Sequence, residues 1–419
     1  MILFSHPTGN ANVRQAALAL AGAGLLGEYW TCVGWNPGSA WNRVLPRAVR
    51  RLLGRRALPE ALRERAHYYP WREAVRMAAS RWPLPWLTAH ETGPFCIDAV
   101  YRTLDRRVAR RAAGADAAFS AVYAYEDGAA ATFAAARARG MRCFYDLPIG
   151  YWRAAQAVYR EEQEREPQWA CTLTGTLDSP AKLARKEEEL ALADAVFVAS
   201  SFTTRTLARA GEAFSKPVHV IPYGAPLAFP VAAGREEPAR RGGPLKVLFV
   251  GGLGQRKGLS YLLEAVEMLG AGVELTLVGR KTTEDCAPLD AALRRHRWIP
   301  SLAHDAVLRE MSRHDVFVFP SLFEGFGLVL LEAMAQGLPI IATEHTAAPD
   351  LLEEGGGGFL VPIRSAQAIA EKLDLLARDP GLLWAMKSAA RETALRHTWE
   401  RYRERLAQAV AAALPEAQS

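Results

Sequence analysis

The chain alternates short apolar, β-rich runs with helical patterns, and it does so in two separate regions. Such alternation is typical of parallel α/β sheets, in which each helix returns the chain to the start of the next strand. The first region begins with a strand at Ile2–Ser5, and the second begins with LKVLFVGG at residue 245. At 419 residues the chain is also too long for one ordinary core. We therefore predict an α/β protein with two Rossmann-like, doubly wound domains that face a central cleft.

The same pattern sets the domain boundaries that we predict. Residues 1–225 form the first domain and residues 244–395 the second. Between them, residues 226–243 are rich in Pro and Gly without periodicity, which is typical of a linker. Residues 396–419 are predicted to form a terminal helix that crosses back to the first domain. The Arg- and Trp-rich stretch at about 41–87 is predicted to be a helical insertion in the first domain rather than part of its sheet.

Positive charge is concentrated in that stretch. Residues 41–90 hold eleven Arg, no Lys and three Glu, a net of +8, whereas the whole chain carries +6. Aromatic side chains lie between the arginines, as they do in helices at a membrane interface. These aromatic residues are Trp41, Tyr68, Tyr69, Trp71, Trp82 and Trp86. The patch is either a solvated face on which Arg stems cover helices, a contact with an anionic membrane, or a site for an acidic acceptor. We expect no nucleic-acid partner.

The cysteines and the apolar segments bear on cellular location. Five cysteines are scattered without CxxC or Cys/His ligand spacing, so neither a disulfide framework nor a zinc site is predicted. The start MILFSHPTGN lacks the basic segment and cleavage site of a secretory signal. The longest apolar stretch is about 12 residues, too short for a bilayer. We expect a cytoplasmic protein, attached peripherally to the inner face of the membrane if the basic patch binds lipid.

The segment DVFVFPSLFEGFGLVLLEAMAQG, from residue 315, places two carboxylates around a strand–loop–helix junction. Glu324 falls in the loop and Glu332 on the second turn of the helix. A helix N-terminus offers free N–H groups and partial positive charge to a phosphate, and Gly325 and Gly327 leave the backbone open to a ligand. Carboxylates accept hydrogen bonds from vicinal diols. The alternative is that Glu324 caps the helix and Glu332 forms a surface pair, although apolar neighbours are unusual for a solvated charge.

A glycine-rich turn with two cations follows the first strand of the second region. In GGLGQRKG, residues 251–258, the glycines permit a tight turn, and Arg256 and Lys257 project toward the cleft. A leaving diphosphate gains negative charge, which fixed cations stabilise. A basic dipeptide alone usually faces solvent. The prediction of a phosphate site therefore depends on the neighbouring glycines and on the acidic pair.

These segments resemble the donor-site signature of a large family of retaining glycosyltransferases, often called family four, which has the two-domain B-type fold (GT-B). The shared pattern is P-S-x-x-E-G-F-G-L-x-x-x-E-A-M-A-x-G-x-P, with seven residues between the two Glu. VLFVGGLGQRKGLSYLLEA resembles the family's phosphate loop, and AAPDLLEEGGGGFLVP and TWERYRERL resemble later stretches of it. The likeness covers roughly residues 190–410 well and the first half more loosely.

The resemblance implies transfer of a hexose from a nucleoside diphosphate sugar to an acceptor hydroxyl, with retention of anomeric configuration. The first domain would bind the acceptor, whether a glycan, a small molecule or a lipid-linked hydroxyl, and the second would bind the donor. Glu332 would hold the ribose diol. Glu324 and the amides of Phe326 to Leu328 would hold the sugar and phosphate. Arg256 and Lys257 would neutralise the diphosphate, whose leaving phosphate would help to deprotonate the acceptor.

Two further donor-side positions are implied by the resemblance. Gly252 stands where many relatives carry Arg, so Arg256 would take over that contact with the diphosphate. Trp298, in HRWIP, falls in the region that lies against the base in relatives. It would stack on the base there, or it belongs to the core as most tryptophans do.

Three positions on the acceptor side are also implied. Gly9 and Asn10, in PTGNAN, would lie beside the transferred sugar, although any polar turn before a helix would look the same. Asp146, in YDLPIGYW, stands where many relatives carry His. It would orient a sugar hydroxyl or accept the acceptor's proton, or it would only cap the following turn.

The sequence also limits the chemistry. We find no HExxH set and no D-x-D triplet, so we expect no metal and no other cofactor. One alternative is a non-catalytic sugar-nucleotide-binding protein that keeps the donor pocket. Another is a sugar-nucleotide epimerase of the same fold. A phosphorylase would need a pyridoxal-phosphate lysine, which no segment suggests.

Overall fold

The computed structural model describes residues 1–39, 45–54, 56–79, 84–116, 118–211, 214–225, 243–353 and 356–415. The predicted linker lies outside these residues apart from Gly243. Trp41 and Trp82 of the Arg-rich stretch also lie outside them. Strands and helices alternate through both halves of the described chain, as the sequence predicts.

Each half contributes one set of short strands, with helices between them. The strands are β1 (Ile2–Ser5), β2 (Leu26–Thr31), β3 (Ala66–Tyr68), β4 (Ala121–Tyr125), β5 (Arg142–Leu147), β6 (Ala195–Val198), β7 (Val218–Val220), β8 (Leu245–Val250), β9 (Val273–Val278), β10 (Arg297–Ile299), β11 (Val316–Phe319), β12 (Ile340–Thr343) and β13 (Gly358–Val361). The helices are α1 (Ala11–Gly22), α2 (Arg47–Gly54), α3 (Glu60–Arg63), α4 (Trp71–Ala79), α5 (Ile97–Ala113), α6 (Ala130–Arg137), α7 (Trp152–Arg165), α8 (Pro180–Leu192), α9 (Ser201–Thr206), α10 (Leu259–Leu269), α11 (Ala287–Arg295), α12 (His304–Met311), α13 (Leu328–Ala335), α14 (Ala348–Glu353), α15 (Ala366–Arg378), α16 (Pro380–Arg396) and α17 (Trp399–Ala413).

The first sheet has the strand order β3-β2-β1-β4-β5-β6-β7, and every neighbouring pair is parallel. Its central strands are apolar on both faces because helices cover both sides of a parallel sheet. AVYAY of β4, for example, is buried along its whole length. The strand order reverses between β1 and β4, and ligands bind at such a reversal in doubly wound sheets.

The second sheet has the order β10-β9-β8-β11-β12-β13, again with parallel neighbours. Its reversal lies between β8 and β11. Both sheets therefore have the Rossmann-like, doubly wound arrangement, and the predicted fold class is confirmed.

One prediction about the first sheet is wrong. The Arg-rich stretch does contain helices, but it also supplies β3, a parallel edge strand whose His67 is in register with Trp30 of β2. The two rings stack with centroids 5.0 Å apart. β3 has only three residues and, as an edge strand, pairs on one side only. Its sequence pattern is therefore too short to be recognised.

The domains are joined by direct contacts near the predicted cleft. The hydroxyl groups of Ser200 and Thr203 both donate to the carbonyl oxygen of Gly325. Arg205 donates to the carbonyl oxygen of Glu344 at 2.9 Å. In addition, the C-terminal helix α17 packs against α1 of the first domain. Helix α9 and the residue before it, which follow β6, are therefore joined to the loops that follow β11 and β12 of the other domain.

Among the residues that the structure describes, no helix has the length and apolar character needed to cross a bilayer. The five cysteines are free thiols. Cys171, in the first half of the chain, donates to the carbonyl oxygen of Asp285 in the second at 3.0 Å.

Candidate active site

The reversal of strand order in the second sheet brings two loops together. The loop after β8 comprises residues 251–258 and the loop after β11 comprises residues 320–327. The backbone N–H of Leu322 and the hydroxyl of Ser321 donate to the carbonyl oxygen of Arg256, at 2.8 Å and 3.2 Å. The topology thus places the cationic motif and the acidic motif side by side.

Gly258 permits the close approach of these loops. Its φ is +68°, in the left-handed region, and a Cβ atom there would lie 2.1 Å from the carbonyl oxygen of Pro320. No side chain can occupy that space. The residues just before it, Gln255–Lys257, form a single 3-10 turn, which sets Arg256 and Lys257 next to each other.

Arg256, Lys257 and Glu324 form one ionic cluster. Arg256 donates to Oε2 of Glu324 at 3.2 Å and to the carbonyl oxygen of Phe323 at 2.9 Å, and Lys257 donates to the same Glu324 oxygen. The Lys257 ammonium also lies 4.5 Å from the centre of the Phe319 ring. Burial and the neighbouring Arg256 cation lower the pKa of Lys257, whose ammonium also bonds with the Glu324 carboxylate. The two cations therefore lie in a partly desolvated site, where their charge is worth more than in water.

Gly325 serves a different purpose from the one predicted. We expected its missing side chain to leave room for a ligand, but a Cβ atom on Gly325 would lie 1.8 Å from the carbonyl oxygen of Pro148 in the first domain. Its own carbonyl oxygen accepts from Ser200 and Thr203. Gly325 is thus required for contact between the domains.

Helix α13 begins where the acidic loop ends. Gly327 precedes it with φ +79°, and Leu328 is the first helical residue. Phe326 is buried, and its ring lies 5.1 Å from that of Tyr223. The side chain of Phe326 is therefore anchored in the core, so its backbone is held at the helix N-terminus, where N–H groups have no helical partner.

Glu332 lies on the second turn of α13 and is largely buried. Its Oε1 atom is 3.7 Å from Nδ1 of His304, at the start of α12. Burial raises the pKa of Glu332, and His304 partly opposes the shift. His304 was not singled out in the sequence, because α12 reaches Glu332 only through packing against α13.

In the first domain, Gly9 and Asn10 occupy the loop after β1. Gly9 has φ +55°, and the Oδ1 atom of Asn10 caps α1 by accepting from the backbone of Val13 at 3.0 Å. The loop is held by His6, whose Nδ1 accepts from the backbone N–H groups of Thr8 and Gly9 at 3.1 and 3.0 Å. Burial lowers the pKa of His6 to about 3, so the ring is neutral and can accept both bonds. Sequence reasoning missed His6.

The Arg-rich stretch also contacts this loop. Arg56 donates to the carbonyl oxygen of Thr8 and pairs with Glu73 at 2.7 Å. Glu73 is buried and also pairs with Arg76 at 2.7 Å. These contacts join Arg56 and Arg76 of the Arg-rich stretch to the first domain. A purely solvated face would not require such contacts.

Asp146 is the penultimate residue of β5 and is buried among tyrosines. It accepts from the hydroxyl of Tyr123 at 2.7 Å. Burial raises the pKa of Asp146 to about 7, which its tyrosine partners partly oppose. Burial, and after it the charge of Asp146, raises the pKa of Tyr125, Tyr223 and Tyr402. These last two residues lie outside the first sheet, so Asp146 sits where the end of the chain meets the first domain.

Gly252 lies in the loop after β8, whereas Trp298 lies two strands away at the edge of the second sheet. A Cβ atom on Gly252 would be 3.5 Å from Thr282, an ordinary contact, so a larger residue would fit. Trp298 is in the edge strand β10, 36% exposed, with its indole N–H donating to the carbonyl oxygen of Gly279 at 3.0 Å. It is therefore not a core residue.

A charged cluster that the sequence did not reveal follows β4. Glu126 is buried 3.4 Å from Lys186 of α8, and burial raises the pKa of this glutamate to about 7. Asp127 has φ +71°, a strained value for a residue other than Gly. Strained backbone is common at functional sites, and these residues lie at the strand reversal of the first sheet. A carboxylate pair in YEDG was the available signal.

Within the described chain, His90, Glu91 and Asp178 bring ligand atoms within 4.8 Å of one another, as a metal site would. Their oxygens are already engaged: Asp178 pairs with Lys182 at 2.9 Å, and Glu91 accepts from the backbone of Ser179 at 2.9 Å. The expectation that the chain needs no metal stays a prediction.

Comparison with known proteins bears on this architecture. Residues 232–393 match the family model described as glycosyl transferases group 1. The chain is 32% identical over 164 residues to the amylovoran biosynthesis glycosyltransferase AmsK of Erwinia amylovora, which is 35% of this chain and 40% of that protein. It is 41% identical over 120 residues to a sucrose synthase of Acidithiobacillus caldus, covering 26% of this chain and 15% of that protein. Both alignments thus span less than half of the relative.

Solved structures match over nearly the whole length. A sucrose-phosphate synthase from Thermosynechococcus elongatus superposes with a TM-score of 0.67 at 21% identity, covering 98% of each chain. Anabaena HepE in complex with UDP-glucose gives a TM-score of 0.61 at 17% identity, covering 98% of this chain and 99% of that one. At these identities the likeness establishes the fold.

The two facing parallel-sheet domains, with the cationic and acidic loops at one strand reversal, define the GT-B class. Within its second domain, the chain matches the family model described as glycosyl transferases group 1 over residues 232–393. The recognition made from the Glu324 and Glu332 signature is confirmed at this level.

Proposed function

We propose that this protein is a retaining glycosyltransferase that moves a hexose from a nucleoside diphosphate sugar to an acceptor hydroxyl. The observation that carries the proposal is the cluster of Arg256, Lys257 and Glu324 at the strand reversal of the second sheet, beside the start of α13. The relatives are named as glycosyltransferases or synthases of glycosides, which supports the reaction class.

The donor would lie across the two loops. Arg256 and Lys257 neutralise the charge that grows on the leaving diphosphate. Glu324, which bonds with both cations, turns toward the sugar hydroxyl groups as the diphosphate takes over those cations. Glu332 accepts from the ribose diol, and free N–H groups at the start of α13 hold a phosphate oxygen.

The acceptor would enter from the first domain. The loop that carries Gly9 and Asn10 borders the acceptor. The leaving diphosphate takes the proton of the acceptor hydroxyl on the same face of the sugar from which the diphosphate departs. Asp146 is a proposed contributor to this side of the reaction. Since its carboxyl is buried against Tyr123, we propose that it acts by holding the end of β5 in place.

A donor panel tests the proposal. The purified protein is incubated with uridine, guanosine and adenosine diphosphate sugars, with and without candidate acceptors, and free nucleoside diphosphate is measured. We expect release with at least one donor, unchanged by a chelator because Arg256 and Lys257 supply the positive charge. Binding without release or transfer across the panel would favour a non-catalytic sugar-nucleotide-binding protein, and interconversion of the sugar without transfer would favour an epimerase.

Glu332→Ala should weaken binding of the nucleoside diphosphate by about 10-fold or more, since a hydrogen bond to a charged group contributes about 1.5–3 kcal/mol. Isothermal titration calorimetry with the nucleoside diphosphate from the active donor measures this. Glu371→Ala, an exposed glutamate on helix α15, is the matched control. Equal affinity of the wild type and Glu332→Ala would remove Glu332 from the ribose site.

The proposed acceptor is lipid-linked and presented at the inner face of a membrane. Trp71 and Trp86 of the Arg-rich stretch are 44% and 61% exposed, and Tyr68 and Leu84 near them are exposed as well. Exposed aromatic groups among arginines suit an anionic headgroup region.

We expect Trp86→Ala to lower co-sedimentation with vesicles that contain phosphatidylglycerol. Leu395→Ala, which removes an apolar side chain that is 71% exposed and lies outside the Arg-rich stretch, should have no effect. Equal binding to neutral phosphatidylcholine vesicles would contradict the proposal.

A further inference from the structure

Glu162 of α7 is a buried carboxylate of the first domain whose described partners come from the second. Its side chain has no exposed surface. It accepts from Nε2 of Gln255 at 2.7 Å, from the hydroxyl of Tyr261 at 2.9 Å and from Nε of Arg364 at 2.7 Å. A buried carboxylate is costly unless several groups solvate it. The three partners compensate that cost only while the two domains are in contact.

Gln255 links this carboxylate to the cationic loop. It directly precedes Arg256 and Lys257, and all three form one 3-10 turn. Its backbone N–H also donates to the hydroxyl of Thr172 at 2.8 Å, again in the first half of the chain. Within the second domain its side chain bonds with Ser260, whose N–H donates to Oε1 at 3.1 Å. The turn is therefore held from both domains at once.

Arg364 reinforces the same contact. Its φ is +62°, a conformation that costs on the order of 1–3 kcal/mol for a residue other than Gly. In that conformation it reaches Glu162, pairs with Glu161 at 2.9 Å and donates to the carbonyl oxygen of Val158 at 3.0 Å. The strained backbone is thus stabilised by a first-domain helix.

We propose that Glu162 is a positioning residue that couples contact between the domains to the placement of Arg256 and Lys257. This inference rests on the proposed function, because it assigns those cations to the donor diphosphate. Glu162 does not touch the cations; it fixes Gln255, and Gln255 fixes the turn that carries them. The diphosphate site is then fully formed only when α7 lies against the second domain.

Glu162→Gln tests the coupling with little change in shape. The new amide has one acceptor oxygen and presents N–H groups to donors, so it cannot satisfy Gln255, Tyr261 and Arg364 together. We expect kcat to fall about 10- to 100-fold, as for loss of one charge-assisted bond, with a smaller change in KM. Amide hydrogen exchange in peptides covering residues 253–258 should become faster. Glu161→Gln is the matched control, since Glu161 also pairs with Arg364 but is exposed.

Gln255→Ala provides a second variant in case Glu162→Gln fails to fold, because it leaves the pairs of Glu162 with Arg364 and Tyr261 intact. Loss of turnover and faster exchange at residues 253–258 in either folded variant, with a normal Glu161→Gln protein, supports the coupling. Wild-type kcat and wild-type exchange in every one of these variants that folds would overturn it. If the wild type releases no nucleoside diphosphate, the proposed function fails, whereas the exchange measurement still decides whether Glu162 positions the turn.

Discussion

Lys257→Ala is expected to lower kcat by about 10²- to 10³-fold, the effect of removing one preorganised charge from a transition state. The Lys257 ammonium is buried against Phe319 and bonds with Glu324, so its position is fixed before the donor binds. The effect is measured as turnover at saturating donor, and as the unfolding temperature, of the wild type and of Lys257→Ala. The loss should appear in kcat more than in stability, because Arg256 still pairs with Glu324 when Lys257 is removed, so that carboxylate keeps a cationic partner.

Lys372→Ala is the matched control for that experiment. Lys372 also lies over an aromatic ring, with its ammonium 5.3 Å from the centre of Phe359, but it belongs to α15. It should retain wild-type turnover. Normal kcat in Lys257→Ala would exclude Lys257 from the site, and an equal loss in both variants would show that the effect is structural.

Gly325→Ala is expected to lower kcat/KM by about 100-fold or more, since displacements of about 1 Å near the chemistry have effects of that size. The added Cβ would lie 1.8 Å from the carbonyl oxygen of Pro148, so the domains must move apart. Each domain should still fold, because the clash lies between them. Activity and the radius of gyration from small-angle X-ray scattering measure the two consequences.

Gly272→Ala controls for the substitution itself. Gly272 precedes β9, and no atom lies within 4 Å of the Cβ position there. It should keep wild-type activity and dimensions. If Gly325→Ala were as active and as compact as the wild type, the contact between Gly325 and Pro148 would not be needed for turnover.

Gly325 and Glu162 each join one loop of the proposed donor site to the first domain. Gly325 lies in the acidic loop and contacts the loop after β5, whereas Glu162 reaches the cationic turn from α7. Both loops of the proposed donor site therefore contact the first domain. The charges of such a site are best aligned when both domains are in contact. Contact between the domains also keeps water away from the reacting groups.

Much of the second domain could be predicted because its signals are local. Apolar runs bounded by turns mark β8 and β11, and the glycines of GGLGQRKG and FEGFG mark the loops that follow them. Parallel order then places both loops at one edge of the sheet. The first domain was less predictable: β3 has three residues, and Asp146 bonds with Tyr123 through strand pairing that no local pattern encodes.

By itself, the sequence determined the class of fold and the residue types of the proposed donor site, since periodicity and glycine spacing act over a few residues. Only the tertiary structure decided what those residues touch. Glu162 lies far along the chain from both Gln255 and Arg364, and Gly325 meets Pro148 across the domains. Such contacts depend on how two independently patterned sheets pack, and packing is decided by shape and burial over the whole molecule rather than by neighbours in the chain.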